Sequence, residues 1–212
     1  MKTWQFYSIM QNLPFRGDHA RCARMKRESK TTVPIISNKL FLTFGLLLPA
    51  LFIGLDQLSK WATTRFFGQP LGYCQVPFKP ASYERVNLEL SPIMDIYLTC
   101  NPGISWGLMQ GDSSIKRWAL TIFAFLMVAG MMYILRRTED SLGRWALALL
   151  IGGAVGNAID RLFFGAVTDM IDFGDIGFHF VFNVADTFIT MGVIGLFISS
   201  WQMDRKAKNA ES

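Results

Sequence analysis

Six aspartates, Asp56, Asp160, Asp169, Asp172, Asp175 and Asp186, lie in or beside strongly apolar stretches of this chain, together with Asn101, Asn157 and Asn183. Lys60 and Arg161 are their nearest basic companions in two of those stretches. Two carboxylates brought together without a cation cannot both ionise, so they share one proton. One can then act as general base on a water while the other donates a hydrogen bond to the carbonyl under attack. That chemistry hydrolyses an amide without a metal. Asp169 and Asp186 suit it best, because no Lys or Arg stands close in sequence to neutralise either. Spacing alone does not choose which two of the six make the pair.

Plainer roles compete for most of these residues. Asp160 and Arg161 are also what a structural ion pair closing a helix end would look like. Lys60 near a helix end reads as a side chain that snorkels to lipid headgroups. Gly152, Gly153 and Gly156 read as small residues that let membrane helices approach closely. Asp175, between Gly174 and Gly177, reads as a solvated turn residue. His179 has aromatic neighbours and no second ligand nearby, so no zinc site is expected there.

The elements that carry these groups are membrane helices. Apolar runs cover Leu40–Trp61, Trp118–Leu135, Trp145–Phe164 and Val184–Trp201. Each has about the 20 residues that a helix needs to cross the hydrocarbon core. Trp61, Trp118, Trp145 and Trp201 mark segment ends, where an indole buries its ring and keeps its N–H wet. Hydrophobic residues make up 51% of the 212-residue chain and charged residues only 17%. A soluble domain carries roughly 25% charged residues.

The net charge of +5 does not point to nucleic acid, because the basic residues flank apolar segments rather than clustering with stacking aromatics. Eight of the 21 Lys and Arg residues precede Leu40. Arg136, Arg137 and Arg144 lie between the second and third spans, and Arg205, Lys206 and Lys208 follow the fourth. The segment between the first two spans shows Arg65, Lys79 and Arg85 along a long stretch, and residues 164–182 hold no Lys or Arg. The positive-inside rule then puts both termini in the cytoplasm, with residues 62–117 and 165–183 on the far side. On that topology Asp56, Lys60, Asp160, Arg161, Asp169, Asp186 and the three asparagines converge on one outer interface.

The expected organisation is a basic cytoplasmic arm (1–39) without helical periodicity, a four-helix membrane domain (40–203) and a short cytoplasmic tail (204–212). Met25 opens a plausible alternative start, and residues 1–24 are expected to be dispensable. In the first outer loop, residues 68–92 read as irregular, and "MDIYLTCN" (94–101) alternates as a short strand that Pro102 and Gly103 end. The fold class is therefore all-α membrane protein, with a small extracytoplasmic β-containing loop. Cys22, Cys74 and Cys100 show no pairing or metal-site spacing and read as free thiols. No metal or cofactor is expected.

Five motifs in order carry a family resemblance: "DQLSK" (56–60), "NPGISWG" (101–107), "GGAVGNAIDR" (152–161), "VTDMIDF" (167–173) and "FNVADTFI" (182–189). Over about residues 40–203 the chain resembles the lipoprotein signal peptidases, also called signal peptidase II. The resemblance implies that Asp169 and Asp186 form a catalytic dyad. It implies that Asn101, Gly103, Asn157, Arg161 and Asn183 shape the substrate pocket, with Asp56, Lys60 and Asp160 supporting it. The implied substrates are prolipoproteins whose lipobox cysteine carries diacylglycerol, cut just before that cysteine at the periplasmic face of the bacterial inner membrane. Globomycin-type cyclic peptides would occupy the same site, lipids would surround it, and the enzyme would act as a monomer. The arm and the 62–95 loop are longer than the family pattern.

Two other classes compete. A proton- or ion-coupled transporter also places aspartates in membrane helices, but usually with repeats and a midplane site. A non-catalytic membrane adaptor would not need unpaired aspartates on the fourth helix and the loop before it.

Overall fold

The computed structural model describes residues 35–69, 74, 87–103 and 113–211. Residues 1–34 of the arm, residues 70–73 and 75–86 of the long loop, and the "ISWG" of the second motif lie outside the described residues. Among the described residues four helices are long and apolar enough to cross a membrane: α1 (Asn38–Phe66), α2 (Ser113–Leu135), α3 (Ser141–Phe163) and α4 (Val184–Glu211). Among the described residues four strands, β1 (Asn87–Ser91), β2 (Met94–Asn101), β3 (Val167–Phe173) and β4 (Phe178–Phe182), form one antiparallel sheet in sequence order. The chain is a multi-pass membrane protein.

The helices alternate in direction, so the α1–α2 and α3–α4 connections share one end of the bundle. The sheet is built from those two connections. The five-residue link from Leu135 to Ser141 joins α2 to α3 at the other end, where Ile36 N–H donates to the Arg136 carbonyl at 3.0 Å. Near that end Phe44, Leu135, Leu147, Ala148 and Ile151 form the buried core.

The central helix is α3. It contacts α1, α2 and α4 and is mostly buried, while the other three leave most of their apolar faces open. Its glycines make this possible. A Cβ on Gly152 would fall 2.6 Å from the Phe52 Cβ, and one on Gly153 would fall 2.5 Å from the Ala185 carbonyl oxygen. Outward-facing residues such as Leu51, Leu58, Phe123, Leu126, Ile194 and Phe197 are exposed. On a soluble protein such a surface would aggregate; against acyl chains it costs nothing.

Several sequence expectations need correction. The helices run further than the apolar segments: α1 continues to Phe66, which places Lys60 nearly two turns and Asp56 nearly three turns before its end, and α4 continues through the tail as far as Glu211. Strand β2 matches the expected strand, but β1 lies in the stretch read as irregular. Strands β3 and β4 replace the loop expected before α4. Val167–Met170 are buried in succession, so β3 lacks the alternation that marks a half-exposed strand. Cys74 and Cys100 are not free thiols: they form a disulfide. Their 26-residue separation carries no pairing signal, and only the fold brings the two together. Cys22 lies outside the described residues.

Candidate active site

At the sheet end of the bundle the helix start at α4 builds the first part of the site. Asn183 caps α4: its Oδ1 accepts the Asp186 backbone N–H at 2.9 Å, and Asp186 Oδ2 accepts the Asn183 backbone N–H at 3.4 Å. This reciprocal cap fixes both side chains from four consecutive residues, "NVAD". It also puts a carboxylate in the first turn of α4, where the helix dipole favours negative charge.

The cap residue has a second task. Asn183 Nδ2 donates to Asp169 Oδ1 at 2.6 Å and to Asn157 Oδ1 at 3.1 Å. Asn157, on α3, donates its own amide to Asp186 Oδ1 at 2.7 Å. The two carboxylates are thus joined through two carboxamides. Asp169 comes from β3 and is 1% exposed.

Asn101, at the end of β2, completes the surroundings of Asp169. Its Nδ2 donates to Asp169 Oδ2 at 3.0 Å, while its Oδ1 accepts the Gly103 backbone N–H at 3.0 Å. Gly103 has φ +99, and a Cβ there would fall 2.3 Å from Leu120 Cδ1 on α2. Only glycine fits that turn.

Burial first, and the adjacent Asp186 charge second, push the Asp169 carboxyl up to about 7. Hydrogen bonds from Asn101 and Asn183 favour its charged form and pull the other way. A group balanced in this way holds or releases a proton near neutrality.

Beneath the two carboxylates lies a buried ionic layer. Lys60 Nζ sits 2.8 Å from Asp56 Oδ2, 3.0 Å from Asp160 Oδ2 and 3.2 Å from Asn157 Oδ1. Lys60 is 5% exposed, which excludes the expected snorkelling to headgroups. Asp160 also differs from expectation. It pairs with Lys60 and accepts the Thr168 backbone N–H at 3.0 Å, while the Arg161 guanidinium donates to the Asn157 carbonyl at 3.4 Å. Arg161 lies within electrostatic range of Asp186, Asp169 and Asp160, so the expected Asp160–Arg161 attraction remains, without an ion pair between them.

The layer holds the site together across elements. Asp56 Oδ1 accepts the Ala185 backbone N–H at 2.9 Å, tying α1 to the α4 start. Asp160 ties α3 to β3 one residue before Asp169. Gln57 spans the same groups, donating to Asp56 Oδ2 at 3.1 Å, Asp160 Oδ1 at 2.9 Å and the Gly156 carbonyl at 3.2 Å. Gln57 was absent from the sequence-derived site. Its signal was a second polar residue beside Asp56 in an otherwise apolar helix.

Asp172 and Asp175 fall outside this network. Asp172 Oδ1 accepts the Gly174 N–H at 2.8 Å in the turn after β3, and Asp175 is exposed. An apolar groove of about 510 Å³ opens beside Asp186, lined by Phe173, Ile176, Phe182, Thr187 and Met191 among others.

The family model for signal peptidase (SPase) II matches residues 48–202. The chain belongs to the signal peptidase II family. Its site-bearing helices and sheet all lie within that match, apart from the first turns of α1 and the end of α4. The lipoprotein signal peptidase of Methylobacterium radiotolerans is 37% identical over 78% of this chain and 90% of its own length. That of Bartonella tribocorum is 36% identical over 80% and 91%. A bacterial membrane enzyme solved by the in meso method at 1.9 Å superposes with a TM-score of 0.57 at 26% identity, covering 75% of this chain and 93% of that one. As a member of the signal peptidase II family the chain is a membrane protease.

Proposed function

We propose that this protease is an aspartic peptidase that removes signal peptides from diacylglyceryl-modified prolipoproteins, with Asp169 and Asp186 as its catalytic dyad. One observation carries the reading: Asn183 binds Asp169 through its amide and caps the turn that presents Asp186, so a single side chain sets the two carboxylates against each other. Lys60 is engaged by Asp56 and Asp160, and burial together with the Asp186 charge outweighs its pull on Asp169, which can therefore hold the proton of the pair. In the reaction one carboxylate takes a proton from the attacking water. The other, protonated, donates to the scissile carbonyl and stabilises the charge developing on its oxygen. The proton received by the first carboxylate then passes to the leaving amine. Asn101, Asn157, Asn183 and Gly103 hold these groups in position, and Arg161 and the groove beside Asp186 receive the substrate.

The dyad sits where helix ends meet the sheet, the level at which two acyl chains in the bilayer would hold a substrate cysteine. Acyl anchoring contributes roughly 0.8 kcal/mol per buried CH₂, a strong source of affinity for a chain whose described residues include no separate peptide-binding domain. The distribution of Lys and Arg favours both termini on the cytoplasmic side and the sheet on the outer side, and the bacterial relatives support the inner membrane as the bilayer it spans. The Cys74–Cys100 disulfide is consistent with that side, since disulfides persist in oxidising compartments.

The test is incubation of the purified chain with one prolipoprotein in diacylglyceryl-modified and unmodified forms. Release of the signal peptide from the modified form alone is the expected result. Equal cleavage of both forms would remove the lipid from the account of specificity.

A further inference from the structure

The Cys74–Cys100 disulfide lies against the residues that hold Asp169, although no step of the proposed reaction uses it. Cys100 immediately precedes Asn101, whose amide binds Asp169 at 3.0 Å. Across the ladder Cys100 faces Thr168, and Asn101 faces Val167. Thr168 precedes Asp169, lies with its Oγ1 3.4 Å from Cys74 Sγ, and gives its backbone N–H to Asp160. Cys74 is 1% exposed and packs with Leu98 of β2 and Ala166.

This end of β2 has few other restraints. The β2–β3 register shifts between Ile96 and Thr99, so the paired residues near the site are only Thr99, Cys100 and Asn101. A register shift of this kind locally disrupts ladder bonding. Pro102 follows directly and has no N–H to extend the ladder. A three-residue strand end between an irregularity and a proline is weakly held by hydrogen bonds alone. The covalent link to Cys74 supplies the missing restraint.

We propose that the Cys74–Cys100 disulfide is a positioning element for hydrolysis, holding the end of β2 so that Asn101 keeps its amide on Asp169. This rests on the reading of Asp169 as a catalytic group. Reduction by a dithiol transfers two electrons and two protons to the cysteine pair, giving two thiols, while the dithiol closes to its own disulfide. Asn101 then loses its fixed position, and the dyad loses one of its two amide donors on Asp169. The acyl chains and the apolar groove are untouched, so the effect falls on turnover rather than on substrate capture.

The experiment measures kcat and KM of the full chain in detergent before and after dithiol treatment, with thiol labelling to verify complete reduction. Reduction should lower kcat about tenfold, the size expected for a hydrogen bond to a charged group, and leave KM within about twofold. Reoxidation should restore the rate. Cys74→Ser with Cys100→Ser should show the reduced values and ignore the dithiol, and Cys22→Ser should respond as the parent does. In Asn101→Ala, reduction should change kcat by less than about twofold, because both changes remove the same contact. Unchanged kcat after complete reduction would overturn the proposal, as would a full-sized fall in the Asn101→Ala background. Should the double serine variant fail to fold, reduction of the folded parent and of Asn101→Ala, with thermal midpoints recorded for both, decides the matter. An active Asp169→Asn variant would overturn the dyad reading itself; a redox-insensitive enzyme that still requires Asp169 would overturn only the role of the disulfide.

Discussion

Asn183 donates its amide to Asp169 at 2.6 Å, and the same side chain caps the helix that carries Asp186. Helix geometry and site geometry are therefore one constraint. Moving Asn183 to relieve either contact would disturb the other, which is why a carboxamide, with a donor and an acceptor at one end, suits this position.

The first prediction concerns pH. Burial, followed by the Asp186 charge, raises the Asp169 carboxyl to about 7, above its unfolded value. The neutral form is thus favoured on folding. Its contribution to stability is fully present below the unfolded carboxylate range and is lost as pH rises through about 7. Turnover that needs one proton on the dyad should fall along the same alkaline limb. Asn101→Leu removes a hydrogen bond that favours the charged form, so that limb should move to higher pH. A pH–rate series on both proteins checks this, and a downward move would contradict it.

Lys60 offers a test of the ionic layer. Lys60→Met leaves Asp56 and Asp160 buried without their cation. Breaking a buried pair by removing one partner costs about 3–5 kcal/mol. Loss of expression and a markedly lower thermal midpoint in detergent are expected, with Lys39→Met as an exposed control. A Lys60 that merely reached for headgroups would tolerate the change, and an unaltered midpoint would restore that reading.

Gly153 tests the packing of α3. A Cβ there would fall 2.5 Å from the Ala185 carbonyl and 2.8 Å from Ile189 Cγ1, pushing α4 away beside Asp186. Overpacking of this sort costs about 1–3 kcal/mol, and the displacement should also lower turnover. Gly130, on α2, has nothing within 4 Å of the same atom, so Gly130→Ala should be neutral or slightly stabilising. Thermal midpoints and rates of the two variants separate the cases.

The four spans and β2 were readable because their signals are local: long apolar runs, terminal tryptophans, and an alternating octet stopped by Pro102. The proposed pair, Asp169 and Asp186, comes from ordered motifs that resemble one family. What stayed hidden depends on contacts between distant segments. Lys60 looked like a snorkelling residue although Asp56, four residues back on the same helix, was visible as a partner; Asp160 and Asn157, which enclose it, come from another helix. Asp160 looked tied to Arg161 because adjacency in sequence is visible and the β3 backbone is not. The Cys74–Cys100 link and the buried β3 strand left no periodic trace. Gln57 was visible but unweighted, being uncharged.

The dyad itself is tested most directly by signal-peptide release from a diacylglyceryl-modified prolipoprotein, measured for Asp169→Asn, Asp186→Asn, the double variant and Asp172→Asn. Asparagine keeps the shape of each carboxylate and removes its ability to carry the shared proton. Each dyad variant should insert normally and lose several orders of magnitude in rate, and the double variant should be little worse because the two act as a unit. Asp172, held in the turn before Gly174, should retain most activity as Asn. A dead Asp172→Asn beside an active Asp169→Asn would contradict the dyad.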